Sequence, residues 1–134
     1  MRVSLDTNVL VSAFTTRGIC ADVLAVVLAE HQLVLGEKVL AELKRVLRKK
    51  MGMPAEEVTE AEAFLRQEAA VVSKGSELLA EVRDPDDAEV LAQAIEGLAD
   101  VLVTGDRDLL DVTDALPVQI LSPRGFWEKL HDAT

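Results

Sequence analysis

Aromatic residues are scarce in this sequence, at 3% of 134 residues, whereas hydrophobic residues as a whole make up 49%. A chain of this length and hydrophobicity is expected to fold as a single globular domain over residues 1–134. Its core must be packed mainly with Leu, Val, Ala and Ile, which suits a parallel sheet covered by helices. The scarcity of aromatics argues against a β-sandwich, and against a protein that binds nucleic acids by stacking bases on aromatic rings.

The sequence also lacks the features of an exported or membrane protein. Cys20 is the only cysteine, so no internal disulfide can form. No apolar run is long enough to cross a bilayer. Asp6 and Asn8 interrupt the N-terminal stretch, where a signal peptide would need an unbroken apolar region. We therefore expect a cytoplasmic protein with no membrane partner.

Positive charge is in deficit, because the formal net charge is −10. A simple nucleic-acid binder should instead be basic. The deficit does not exclude an enzyme whose carboxylates surround metal ions, because such ions cancel the local negative charge and then face the phosphates. Scattered surface acids that aid solubility explain much of the charge in either case.

Apolar periodicity predicts strands that alternate with helices. The predicted strands are residues 2–6, 33–35, 71–73, 101–104 and 118–121. The predicted helical segments are a turn at 8–14 that leads into 21–30, and then 37–50, 54–69, 85–97 and 123–131. Residues 74–85 carry no clear pattern. This alternation predicts a three-layer α/β fold, with a mostly parallel central sheet and helices on both faces.

Two predicted strands each deliver an aspartate to the same edge of this sheet. Asp6 ends the first strand, and Asp106 follows the strand 101–104 after a glycine that permits a sharp turn. Functional groups gather beyond the carboxyl ends of parallel strands. For Asp6 alone, helix capping is an equally good explanation. Two converging carboxylates need a further reason, because like charges repel unless a cation lies between them.

Asp87 stands out because of its phase in the predicted helix 85–97. It falls on the side of the apolar stripe that contains Leu91 and Ala94, where an unpaired charge is costly. Asp84 suits the N-cap, and Asp86 suits the positive end of the helix dipole. An alternative is that Asp87 completes a capping arrangement with Asp84, and either Asp84 or Asp86 is a substitute candidate for the third acid.

Glu42 lies at the margin of the apolar stripe of the predicted helix 37–50. On helix phase alone, the simpler interpretation is a surface glutamate paired with Arg45, which is worth about 0.2–0.5 kcal/mol. The same helix concentrates positive charge, which in an acidic protein marks a path for a phosphate backbone, although some of these residues complement the helix dipole. The basic residues are Lys44, Arg45, Arg48, Lys49 and Lys50.

Four segments resemble the motifs of the PIN-domain family (PilT N-terminus). They are LDTNVLVSA at 5–13, Glu42, DPDD at 84–87 leading into VLAQA at 90–94, and VTGDRDL at 103–109. The similarity extends over nearly the whole chain in the expected order and spacing. The proteins that it resembles most are toxins of bacterial and archaeal toxin–antitoxin pairs. The resemblance implies a parallel sheet flanked by helices, endonucleolytic cleavage of RNA that depends on Mg²⁺ or Mn²⁺, and an antitoxin protein as partner.

The resemblance also assigns candidate roles by position. The candidate catalytic and metal-binding acids are Asp6, Glu42, Asp87 and Asp106. The supporting candidates are Asn8, Thr104 and Asp108. Arg45, Lys49 and Arg107 are candidates for contacts with RNA phosphates, as residues close to these acids or on the basic helix. The high apolar fraction favours a homodimer or higher homo-oligomer, because exposed aliphatic patches commonly mark interfaces.

The candidate ligands are all oxygens, which selects hard cations such as Mg²⁺ or Mn²⁺. His31 and His131 are isolated in the sequence and offer no zinc motif. The hypothesis is therefore metal-assisted hydrolysis of phosphodiesters. One alternative is phosphoryl transfer through an aspartyl phosphate at Asp6, and another is a PIN-like binding module without catalysis. Metal-dependent RNA cleavage that is lost in Asp6→Asn distinguishes the hypothesis from both.

Overall fold

The computed structural model describes residues 1–74, 82 and 84–132. Within them the strands are β1 (Arg2–Leu5), β2 (Gln32–Gly36), β3 (Val71–Ser73), β4 (Val101–Val103) and β5 (Gln119–Leu121). The helices are α1 (Thr7–Thr15), α2 (Ile19–Glu30), α3 (Glu37–Lys49), α4 (Ala55–Glu68), α5 (Pro85–Glu96), α6 (Arg107–Leu110) and α7 (Pro123–Asp132). Every predicted element is present, with ends that differ from the prediction by no more than two residues. Residues 74–85, the stretch without a clear sequence pattern, fall largely outside the described residues.

The five strands form one parallel sheet in the order β3-β2-β1-β4-β5. The chain moves from β1 outward to β2 and β3, and then crosses back so that β4 pairs with the other side of β1. In the β1–β4 pair, Leu5 is opposite Val103. The strand order therefore reverses between β1 and β4, and a crevice for ligands is expected outside the carboxyl ends of strands at such a point.

Both faces of the sheet are covered. Val3, Ser4 and Leu5 are all buried, as are all three residues of β4. Because consecutive residues of a strand face opposite sides, continuous burial requires packing against both faces. This confirms the predicted three-layer α/β fold. The core is largely aliphatic, as the composition predicts, and Phe126 is the aromatic residue that is fully buried in it.

Helices α1 and α2 meet at a sharp bend of 102°. Gly18 precedes α2, which begins two residues before the predicted start. Among the described residues, no single helix is long and apolar enough to span a bilayer, and the bent pair α1–α2 reaches the required length and composition only as a pair.

The caps of two helices bear on the acidic edge of the sheet. Asp84 caps α5 as predicted, since its side chain accepts a hydrogen bond from the backbone N–H of Asp86 at 2.8 Å. The N-cap of α6, a helix that apolar periodicity does not predict, is Asp106, whose Oδ1 accepts from the backbone N–H of Asp108 at 2.8 Å, and Asp108 lies in the first turn of the helix. A four-residue helix gives too little periodicity to locate its first residue.

Candidate functional site

Asp6 lies at the carboxyl end of β1 and is almost completely buried, with 4% of its surface exposed. The backbone N–H of Thr7 donates to its Oδ1 at 2.7 Å, so Asp6 caps α1. Its Oδ2 accepts from the Asn8 amide at 3.2 Å and from the Thr104 hydroxyl at 2.7 Å. Capping and a position in the site are therefore compatible, because the cap uses one oxygen and leaves the other directed towards β4.

Thr104 joins the two acidic strand ends. Its hydroxyl donates to Asp6 Oδ2 and accepts from the backbone N–H of Asp106 at 3.0 Å. Asn8 makes a second link, because its Oδ1 accepts from the backbone N–H of Gly105 at 3.0 Å. Both residues were candidates for a supporting role, and both join the Asp6 carboxylate to the backbone of the segment that carries Asp106.

Asp87, Asp106 and Asp108 each offer a carboxylate oxygen within 4.8 Å of the others. They come from α5 and from the segment that follows β4. Asp87 is buried, with 7% of its surface exposed, and its Oδ2 has no hydrogen-bond partner among the described residues. A buried carboxylate oxygen without a donor is costly. A divalent cation would satisfy it, so these donors fit a hard metal ion.

Two carboxyl groups in the site have pKa values above their ordinary values. Burial raises the pKa of Asp87 to about 7, helped by a hydrogen bond with Asp106 and by the charges of Asp106, Asp84 and Asp6. Burial also raises the pKa of Asp6, against the lowering effect of hydrogen bonds from Thr104 and Thr7. Raised pKa values of clustered acids are typical of functional sites, because the fold brings together groups that repel one another.

Glu42 lies beside this cluster on α3, with 22% of its side chain exposed. Its Oε2 accepts from the Thr7 hydroxyl at 3.2 Å, and its Oε1 lies 3.4 Å from the ammonium of Lys38. The pairing with Arg45 that helix phase suggested is therefore wrong, since among the described residues the cation that contacts Glu42 is Lys38, four residues earlier. Its charge is close enough to contribute to the raised pKa of Asp6.

The candidate RNA contacts are all exposed. Arg107 follows Asp106 directly at the start of α6, whereas Arg45 and Lys49 lie one and two turns beyond Glu42 along α3. Of the other basic residues on α3, Lys44 is paired with Glu62 of α4 at 3.3 Å. The structure thus brings Arg107 to the acidic cluster and leaves Arg45 and Lys49 at a distance from it along the helix.

The family to which the chain belongs is shown by a match to a family model. A family model described as a PIN domain matches residues 2–108. The chain belongs to the PIN-domain family. PIN domains are generally nucleases that depend on divalent metals. The matched range includes all the acids described above.

Two solved structures share the PIN fold with this chain. VapBC2 from Rickettsia felis, solved bound to a DNA fragment from its promoter, has a TM-score of 0.66 at 18% identity, covering 90% of this chain and 97% of that one. VapBC-1 from nontypeable Haemophilus influenzae has a TM-score of 0.63 at 20% identity, covering 92% and 99%. At these identities the likeness shows the fold alone. No curated protein sequence gives a significant match.

Two residues at this PIN-domain site were not predicted from the sequence. Lys38 carries a recognisable signal, because it stands four residues before Glu42 on the same helix face. Gln93 is a buried polar side chain within the apolar sequence run of residues 90–95. Its Oε1 accepts from the backbone N–H of Lys38 at 2.8 Å, and its Nε2 donates to the carbonyl of Lys74 at 3.1 Å. A polar residue inside an apolar run is the signal that marks Gln93, but its partners depend on tertiary packing.

Proposed function

We propose that this PIN domain, occupying residues 1–134, is an endoribonuclease that hydrolyses RNA phosphodiester bonds and depends on Mg²⁺ or Mn²⁺. The observation that carries the proposal concerns Asp87, whose buried Oδ2 has no donor among the described residues and whose carboxylate offers an oxygen within 4.8 Å of oxygens of Asp106 and Asp108. Repulsion among these groups is tolerable only if protons or a cation neutralise them. Because the family is generally metal-dependent, a cation is the better explanation at neutral pH.

The residues of the site would have different roles, which we assign from their positions. Asp87, Asp106 and Asp108 would hold the ion. Asp6 lies beside them, with Thr104 and Asn8 fixing its orientation relative to Asp106. A bound Mg²⁺ or Mn²⁺ would supply positive charge to the phosphodiester and lower the pKa of the attacking water. Glu42, at the margin of the cluster, would orient that water or the substrate.

The proposed RNA contacts rest on charge. Arg107 is exposed beside the acidic cluster, and Arg45 and Lys49 are exposed on the basic helix α3. In a chain with a formal net charge of −10, this helix is where a phosphate backbone meets least repulsion. The low aromatic content favours contacts to the backbone over base stacking.

We also propose that the protein is the toxin of a toxin–antitoxin pair, located in the cytoplasm and assembled as a homodimer or higher homo-oligomer. The proposal of an antitoxin partner is supported by the fold shared with VapBC complexes. The proposal of an oligomer is supported by α1 and α2, which leave apolar side chains such as Val11, Phe14 and Leu28 only partly buried.

Cleavage of labelled RNA by the purified chain, with and without divalent ions, tests the proposal. We expect cleavage with Mg²⁺ or Mn²⁺, none after chelation, and none by a folded Asp6→Asn variant. The alternative of an aspartyl phosphate predicts incorporation of phosphate from acetyl phosphate at Asp6. The environment of Asp6 disfavours this alternative, since both of its oxygens accept hydrogen bonds and it is 4% exposed. Metal binding without RNA cleavage would indicate a binding module.

A further inference from the structure

Lys38 is a basic residue at the margin of the acidic site, and its ammonium contacts carboxylates on two helices. Its Nζ lies 2.8 Å from Asp86 Oδ1, 3.4 Å from Glu42 Oε1 and 4.0 Å from Glu89 Oε2. The side chain is 23% exposed, so it is partly enclosed between α3 and α5.

The backbone of Lys38, like its ammonium group, is held by a contact with α5. Gly36 before α3 offers no side-chain cap, and the Gln93 amide oxygen accepts from the backbone N–H of Lys38 instead. A Cβ at position 36 would collide with the Gln93 side chain, so glycine leaves the space for this contact. Both ends of Lys38 are therefore attached to α5, which fixes where the ammonium lies.

The acidic site is consequently divided into two parts. In the first, Asp87, Asp106 and Asp108 approach one another, and the buried Asp87 Oδ2 has no donor among the described residues. In the second, both oxygens of Glu42 are engaged, one by the Thr7 hydroxyl and the other by the Lys38 ammonium. Among the described residues, the first part contains the buried side-chain oxygen that lacks a hydrogen-bond partner, Asp87 Oδ2, whereas the second part has none.

We propose that Lys38 supplies a permanent positive charge where a second divalent ion would otherwise bind beside Glu42, so that the chain binds one divalent ion. The inference rests on the proposed metal-dependent function. At an effective dielectric constant of about 20, an ammonium within about 5 Å of a divalent ion weakens binding of that ion by more than about tenfold. The ammonium also neutralises Glu42 without the need for metal.

Counting the ions bound to the metal-free full chain tests this inference without any assay of activity. We would titrate the protein with Mn²⁺ and measure free Mn²⁺ by electron paramagnetic resonance. The wild type is expected to bind one ion per chain. Lys38→Gln keeps a hydrogen-bonding side chain but removes the charge, and we expect it to bind a second ion at least about tenfold more tightly than the wild type does.

Three further variants assign the effect to the charge at this position. Lys38→Arg retains the charge and is expected to bind one ion. Lys44→Gln removes a charge from the same helix, but its ammonium pairs with Glu62 on the α4 side, so the count should stay at one. In the double variant Lys38→Gln with Glu42→Gln, the second ion should be lost, because its proposed ligand is gone.

Two results would overturn the inference: a wild type that binds two ions with affinities within tenfold of each other, or a folded Lys38→Gln that still binds one. Thermal unfolding checks each variant, and the wild-type count decides the matter if Lys38→Gln does not fold. These failures differ from failure of the proposed function. Absence of Mn²⁺ binding in every variant would contradict both proposals, whereas one bound ion without RNA cleavage would contradict only the nuclease.

Discussion

The two edges of the parallel sheet, at the amino and the carboxyl ends of its strands, differ in how their charged groups are paired. At the amino edge, the Arg2 guanidinium donates to the carbonyls of Gly97 and Leu98 at the end of α5, at 2.7 and 3.1 Å, and to Gln32 at 3.1 Å. The Asp100 carboxylate there accepts from the backbone N–H of Arg2 at 2.8 Å. At the carboxyl edge, by contrast, aspartates approach one another. The fold thus matches charges with partners at one edge and collects like charges at the other.

Open volume does not mark the edge at which the like charges collect. A cavity of about 800 Å³ lies at the amino edge, lined by residues that include His31, Glu128 and Lys129. It is not at the acidic cluster. We infer the candidate site from the electrostatic conflict and not from open volume, because such a conflict costs stability and a ligand would relieve it.

The sharpest test of this contrast removes one carboxylate from each edge. We expect Asp106→Asn to weaken Mn²⁺ binding by at least about 100-fold, since a direct ligand should matter at least as much as the groups that orient it. Glu128→Gln, which removes an exposed carboxylate at the amino-edge cavity, should leave Mn²⁺ binding unchanged. Isothermal titration calorimetry measures both. Equal losses would mean that the acidic cluster has no special role.

The link between Asp6 and Asp106 offers the next largest effect. Thr104 is completely buried, and Thr104→Val removes the hydroxyl that donates to Asp6. We expect RNA cleavage to fall by about 10–100-fold, as for other residues that orient metal ligands, and the free energy of unfolding to fall by about 1–3 kcal/mol. Thr104→Ser keeps the hydroxyl and should retain most of the activity. Cleavage rates and urea unfolding of the two variants provide the measurement.

The buried charge of Asp87 predicts a pH dependence of stability in the metal-free protein. Its pKa is about 7 in the fold, against an ordinary value of 3.8. Between these values the folded protein holds a proton that the unfolded chain has released. The stability from this group is therefore complete below about pH 4 and is lost as the pH rises through about 7.

Urea unfolding of the wild type and Asp87→Asn, both in a chelator, isolates this contribution. We expect the variant to gain about 1–3 kcal/mol relative to the wild type as the pH rises to 8, because the wild type then buries a charged carboxylate whose Oδ2 has no donor among the described residues. Added Mg²⁺ should reverse the difference by stabilising the wild type more. A pH-independent difference would show that Asp87 is already satisfied in the fold.

The amino edge should give the smallest effect, and one confined to stability. Arg2→Met keeps an apolar stem but removes the donors to Gly97, Leu98 and Gln32. We expect a loss of about 1 kcal/mol in the free energy of unfolding, because these hydrogen bonds are partly exposed to water. Mn²⁺ affinity should not change. A change in Mn²⁺ affinity would mean that the two edges are coupled through the sheet.

Much of the fold could be predicted from local patterns. Strand and helix bounds followed from apolar periodicity because burial of one helix face or of both strand faces constrains each segment separately. The phase of α5 placed Asp87 on the side of Leu91, and both are buried. The position of Asp6 and Asp106 directly after β1 and β4 predicted that the two would share an edge, since parallel strands end on the same side.

Partners across long sequence separations could not be predicted in this way. Helix phase paired Glu42 with Arg45, whereas the structure gives it Lys38 and Thr7. The contact of Lys38 with Asp86 depends on how α3 packs against α5. Periodicity describes which face of a helix is buried, but it contains no information about the helix that covers that face.

The sequence by itself determined the elements, the parallel arrangement of the strands and the edge at which the acids collect, because these depend on local periodicity and chain direction. Only the tertiary structure decided that β4 lies beside β1, so that Thr104 reaches Asp6 across 98 residues of sequence. The same packing decided that Lys38 closes over Glu42 while the buried Asp87 oxygen has no donor in the described part of the chain. Strand order and helix contacts are chosen by the free energy of the whole core, and no single segment encodes them.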